Sequence, residues 1–170
     1  FLGMPVDMAS TGYLTPAVEV GSAGIVMAIG VVTGFAGPDK AGLATDDPYL
    51  DVSDLTTLAS GLMTGDRFAF VADNPQQLFV IQGDTGGTTA VQADVFASFA
   101  LIYRATSGNT DSGFANLELD ASSASAGTGQ IVQLLGLHET INSDATKNAF
   151  GNYAKLVVKL LNHRLNSGQE

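Results

Sequence analysis

The chain has 170 residues, 45% of them hydrophobic, enough for one ordinary domain with its own core. A formal net charge of −10 with only seven Lys and Arg argues against the nucleic-acid backbone as a partner, because that contact needs a basic stripe. The absence of Cys excludes disulfides and thiolate metal sites, while 14% charged residues, against about 25% in ordinary domains, and 20 Gly suggest many turns and a surface partly covered by neighbours.

Residues 1–16 hold no sustained period and are punctuated by Met4-Pro5, Gly12 and Thr15-Pro16. They read as an extended N-terminal arm, followed by a single β-rich domain over 17–170. The sequence opens on Phe1 and not Met, which leaves room for residues ahead of it. Two readings of the arm stand side by side. It is a frayed terminus, or it docks on a partner, since Phe1, Leu2, Met4, Val6, Met8, Tyr13 and Leu14 make it unusually apolar for a free end.

From Val20 to Pro38 no residue is charged, close to the roughly 20 apolar residues of a membrane helix. Five glycines interrupt the run and no basic flank follows it. Bulky Ile25, Met27, Ile29, Val31 and Phe35 occupy odd positions, and the even positions Ala28, Gly30 and Gly34 are small. Period two predicts one long or two consecutive strands over 18–35 and no membrane span.

Residues 38–62 form an acidic insertion, with Asp39, Asp46, Asp47, Asp51 and Asp54 against a single Lys40. Carboxylates can ligate calcium, but the spacing lacks the alternate-residue pattern of a calcium loop, and a solvated loop is the simpler reading. Residues 55–63 suggest a short helical turn. Two aromatic and β-branched runs, 67–72 and 78–82, flank Asp73-Asn74-Pro75 and predict a hairpin.

Further along, 88–94 suggests a short helical turn and 96–104 a strand. Leu117 and Leu119 around Glu118, and then 131–141, alternate as strands. The last run, 153–165, fits two patterns. Tyr153, Leu156, Val157, Leu160, Leu161 and Leu165 make a helical stripe with Lys155 and Lys159 on another face. Leu156, Val158 and Leu160 equally fit one face of a strand. The residue pattern by itself favours the helix.

Catalytic parts are few. The only histidines are His138 and His163, and no His pair sits at metal spacing. There is no Gly-x-Ser-x-Gly elbow and no Gly-rich loop ending in Lys-Ser/Thr. On a strand, His138 and Glu139 would point to opposite faces. Asp66, Asp73, Asp84 and Asp120 sit in turn-like contexts that Asx turns explain. The expectation is no enzyme, no cofactor and no metal site.

Several segments resemble the small decoration, or cement, proteins of tailed phages. The strongest is Asn152-Tyr-Ala-Lys-Leu-Val-Val-Lys-Leu-Leu-Asn-His-Arg-Leu-Asn-Ser-Gly168, similar to that family's Ala-Lys, hydrophobic, Asn-His, Ser-Gly ending. Phe70-Val-Ala-Asp-Asn-Pro75 with Phe79-Val-Ile-Gln-Gly-Asp84 resembles its central block, and Val31-Val-Thr-Gly-Phe35 its first core strand. Asn116-Leu-Glu-Leu-Asp120 with Gln133-Leu-Leu-Gly-Leu137 is similar to its late region, and Pro5-Val6 to its arm. Leu156 stands where a Trp is common in the family, and the acidic segment has no counterpart.

The resemblance implies an all-β domain, barrel or sandwich-like, with one or two short helices and the extended arm. It makes 153–165 a strand. It also implies a homotrimer bound to the major capsid protein on the outer surface of the virion, assembled in the bacterial cytoplasm, without catalysis. The interface residues expected on this basis are Phe1, Leu2, Met4, Pro5, Val6 and Tyr13 of the arm and the cluster Lys155, Lys159, His163 and Arg164. The alternatives are a receptor- or glycan-binding β-module of a virion fibre, in which the aspartates would hold calcium, and a small hydrolase.

Overall fold

The computed structural model of the chain describes residues 1–8, 14–17, 27–36, 68–84, 88–108, 114–124, 130–141 and 145–165. Tyr13, the acidic insertion 38–62 and the helical turn expected at 55–63 lie outside these residues.

The described residues form two sheets, as the all-β expectation required. The first contains β1 (Pro5–Met8), β2 (Leu14–Pro16), β3 (Gly30–Ala36) and β4 (Phe68–Ala72), in the order β2-β1-β3-β4, all antiparallel. The second contains β5 (Leu78–Gly83), β6 (Ser98–Phe99), β7 (Leu101–Gly108), β8 (Ala115–Leu119), β9 (Val132–Leu137) and β10 (Lys155–Leu160), in the order β6-β9-β10-β5-β8-β7. Helical structure among the described residues is limited to 3-10 turns at Gln92–Asp94 and Ala121–Ser123.

The second sheet curls into a nearly closed barrel, and its own connectivity explains why. β6 and β7 are its two opposite edges, yet Ala100 alone separates them along the chain. One run therefore pairs with β9 through its first half and with β8 through its second. The single strand expected over 96–104 is thus a bent one. At the bend, Ala100 leaves the ladder and its backbone groups are taken locally. Its N–H donates to Ser123 Oγ at 2.9 Å and its carbonyl accepts from Asp120 N–H at 3.1 Å. The 3-10 turn that supplies Ser123 is itself capped, with Asp120 Oδ1 accepting from Ser122 N–H at 3.0 Å. Near closure leaves less exposed edge than an open sheet would, the weakest seam being β5–β8, paired only at Gln82 and Gly83.

The barrel core is made of Phe99, Leu101, Leu119, Leu134, Leu156, Val158 and Leu160, with Phe79, Ile81 and Leu117 packed against them. The C-terminal run is therefore a strand. Leu156, Val158 and Leu160 alternate inward while Lys155, Val157 and Lys159 alternate outward. The helical stripe loses because β9 and β5 flank β10 on both sides and supply its ladder partners; tertiary pairing overrides a weak local preference.

The hairpin expected from 67–82 requires correction. Both strands and the turn form, and Asn74 makes the Asx turn, its Oδ1 accepting from Gln76 N–H at 2.9 Å. The two strands do not pair with each other. β4 pairs with β3, and β5 pairs with β10 and β8, so the turn carries the chain from one sheet to the other.

The small sheet has its own core of Met4, Val6, Val32 and Phe35. A bulge between Val32 and Gly34 interrupts the odd–even order expected of β3. Val31 consequently faces the barrel core, while Val32 and Phe35 share the small one. Gly30 is required by proximity: a Cβ there would meet the Ala72 carbonyl oxygen and lie 2.6 Å from Val71 Cγ1.

Residues 1–8, expected to be an extended arm, are built into this fold. β1 lies between β2 and β3. Gly3 N–H donates to Val32 O at 2.8 Å, Val32 N–H to Met4 O at 2.9 Å, and Ala115 N–H to Leu2 O at 2.8 Å, which ties the segment to barrel strand β8.

Candidate interaction surface

The residues expected at an interface separate into groups. Met4, Pro5 and Val6 are buried by the chain itself and offer no surface to a partner. Phe1 and Leu2 are half-buried against the small core. Tyr13 falls outside the described residues.

The C-terminal cluster does not act as one patch either. His163 is fully buried. It follows β10 at a bridge to Ala28, its Nδ1 accepts from Leu165 N–H at 3.2 Å, and its Nε2 has no partner among the described residues. It is a wall of the fold and cannot face a capsid. Arg164 reaches back to the first strand and grips Asp7 with two hydrogen bonds, Nε–Oδ1 at 2.7 Å and Nη2–Oδ2 at 2.5 Å. The Arg164 hydrogen bond holds the Asp7 carboxyl below its usual range; partial desolvation opposes this, and the backbone at Met8 and the guanidinium charge assist. The pair joins the two ends of the described chain.

Lys155 and Lys159 remain at the surface, both on the outward row of β10. The register sets a second row beside them. Lys155 lies opposite Gln82, Val157 opposite Val80 and Lys159 opposite Leu78. Such cross-strand neighbours stand about 5 Å apart. Leu78 and Val80 are 50% and 53% exposed, a high value for apolar side chains on a central strand. On the β9 side Val157 faces Gly136, which has no side chain to cover it. Gln82 is bound sideways to Glu118, Nε2 donating to Oε1 at 2.9 Å.

The result is an apolar strip of Leu78, Val80 and Val157 flanked by two lysines on the outside of the barrel. β10 is paired on both sides and can engage a partner there only through side chains, whereas β5 meets β8 only at Gln82 and Gly83. The contribution of β5 was missed at the sequence level. Leu78-Phe79-Val80-Ile81 is apolar at every position, so it has no polar face to turn outward, and that continuity was the available signal.

The chemistry otherwise present is sparse. His138 and Glu139 share no hydrogen bond, and His138 is held through its backbone, N–H to Lys155 O at 2.9 Å. Asn148 staples the same place, donating to the carbonyls of His138 and Lys155 and accepting from Lys155 N–H at 3.0 Å. Among the described residues no group of three His, Asp or Glu could hold a metal ion, and no helix is long and apolar enough to cross a membrane. The aspartates of 39–54 lie outside the described residues. Comparison with known proteins gives no match: no family model, no curated protein and no solved structure is similar to this chain.

Proposed function

We propose that this protein is a capsid decoration, or cement, protein of a tailed phage, which binds the outer surface of the major capsid shell as a homotrimer and stabilises it without catalysis. The observation that carries the reading is the surface of β10. The run that most resembles the cement family supplies an inward apolar row that the barrel needs and an outward row, Lys155, Val157 and Lys159, that the barrel does not need. With Leu78 and Val80 it leaves apolar side chains in water on a chain that is poor in charge. A surface of this kind is stable where an assembly covers it.

The test is a particle experiment. Purified protein is mixed with phage capsids lacking decoration, and the particles are sedimented and reconstructed by electron microscopy. The expected result is saturable density on the outer shell and particles that resist heat or chelation better than bare ones. Protein that stays in the supernatant at all concentrations would sink the proposal.

A further inference from the structure

Along an antiparallel ladder, hydrogen-bonded and non-hydrogen-bonded pairs alternate. On β5 the order is fixed by Gly83, whose N–H donates to the Ala154 carbonyl at 2.8 Å. Counting back in twos along the register, Ile81 bonds Leu156 and Phe79 bonds Val158. Gln82, Val80 and Leu78 therefore turn their backbone groups the other way, towards β8.

β8 answers at one end only. It pairs with Gln82 and Gly83, and Leu119 O accepts from Asp84 N–H at 2.9 Å. No residue of β8 is paired with Val80. The Leu78 carbonyl is taken locally, by Gln77 Nε2 at 3.1 Å. Further along β8, Ala115 N–H donates to Leu2 O at 2.8 Å, so that end of the strand is held by the N-terminal segment and not by β5.

An apolar cavity of about 250 Å³ lies where the two strands part. Residues 79–82 all line it, inward and outward side chains alike, so it borders the edge of β5 and not one of its faces. Leu101, Leu117, Val158 and Leu160 bring the barrel core to its wall. An apolar cavity of roughly 150 Å³ admits benzene, so this one has room for a large apolar side chain. A strand edge beside an apolar pocket complements an extended peptide, which offers main-chain hydrogen bonds to the first and a side chain to the second.

We infer that the β5–β8 seam takes an extended segment of the shell protein, which pairs with Val80 and lodges a bulky aliphatic or aromatic side chain in the cavity. The inference rests on the cement reading and names the shell's half of the contact by its chemistry, a short strand that is apolar on both faces. Side chains of a strand alternate. The residue paired with Val80 stands outside, against the exposed strip of Leu78, Val80 and Val157, and the next one points into the cavity. One segment thus covers both features, which meet at Val80.

Amide hydrogen exchange of the full chain, read by NMR, tests the edge. The Val80 amide should exchange at least about tenfold faster than those of Phe79 and Ile81. The peptide acetyl-Ser-Val-Leu-Val-Ser-amide, used as a model strand, should slow Val80 exchange and raise the melting temperature. The same peptide with Ala for Leu should bind at least about tenfold more weakly. Two variants close the site. Val80→Pro removes the N–H from the open edge and leaves the bonds of Phe79 and Ile81 to β10 intact. Ala115→Leu fills the cavity from β8. Thermal melts confirm folding, and each variant should lose the peptide and coat capsids at least about tenfold more weakly in co-sedimentation.

Val80 exchange as slow as that of Ile81 overturns the inference, because the edge is then already closed. So does a peptide that leaves Val80 exchange unchanged, or that binds equally well with Ala for Leu. Folded variants that coat particles like the wild type overturn it while leaving the cement reading standing. Protein that takes the peptide at Val80 but never coats particles refutes the cement reading and leaves the strand site, with its donor another chain.

Discussion

Val157 and Val158 are the same residue type at adjacent positions, and β10 turns them to opposite sides of the barrel wall. Val158 is 2% exposed and packs among the barrel core, whereas Val157 is on the outward row. Val158→Ala deletes two buried carbons, worth about 1.6 kcal/mol in transfer at roughly 0.8 kcal/mol each. The wall cannot collapse freely, because β9 and β5 pin β10 on both sides, so a cavity term adds to this and the total comes to about 2–3 kcal/mol. Val157→Ala leaves no cavity and should cost about 0.5 kcal/mol or less. Urea unfolding of the full chain with a common slope measures both differences directly. A helix over 153–165 would bury Val157 together with Tyr153, Leu160 and Leu161. Equal costs for the two substitutions, or a larger cost at Val157, would refute the strand and the inward–outward assignment built on it.

His163→Ala should lower stability by about 2–4 kcal/mol, since it empties a fully buried site, whereas Lys155→Ala should leave the melting temperature nearly unchanged; thermal melts of the two variants separate a structural residue from a surface one. Gly30→Ala should destabilise by about 1–3 kcal/mol, because its Cβ has to push β4 away from β3, and denaturant unfolding reads that directly. The Asp7–Arg164 pair predicts a pH effect of known sign. The folded carboxyl titrates below its ordinary value of 3.8, so its contribution is present above that value and is lost as pH falls through the lower, folded one. Asp7→Asn should therefore melt below the wild type near neutral pH, and the gap should narrow in strong acid and in high salt; a gap that does not change with pH would assign the effect to something other than charge.

The all-β class was legible because the signals for it are local. Alternation at 131–137 and the aromatic and β-branched runs at 68–83 each specify extended chain without knowledge of partners. Partner choice was not legible. The 67–82 segment has every local mark of a hairpin, and a turn of this kind serves equally well as a corner between two sheets, which is what it is. The bend at Ala100 was hidden for a related reason. Its backbone groups are satisfied by Ser123 and Asp120, both distant along the chain, and no nearby residue announces the break.

The candidate surface was half legible. Lys155 and Lys159 stood out because cations are scarce in this chain. His163 and Arg164 were grouped with them by sequence proximity, but after Leu160 the chain leaves the strand period: His163 turns into the interior and Arg164 turns to Asp7 at the other end of the described chain. Proximity along a strand puts residues on a shared face only at every second position, and only while the strand lasts.

The exposed strip is better explained by assembly than by folding. Replacing Leu78, Val80 and Val157 with Thr would keep β-branching or strand compatibility and would remove apolar side chains from water, so selection for the monomer's stability alone gives no reason to keep them. The inward partners of the same strands, Phe79, Ile81, Leu156 and Val158, already supply the barrel core. β10 is paired on both sides, so its outer face offers no edge for uncontrolled strand addition, whereas β5 meets β8 only at Gln82 and Gly83. A face that is apolar and flanked by two of the chain's scarce cations has the properties of a specific docking surface. The triple substitution L78T/V80T/V157T should therefore leave the monomer folded, with a melting temperature close to that of the wild type, while abolishing self-association and particle binding; a variant that still assembles normally would show that the strip is incidental.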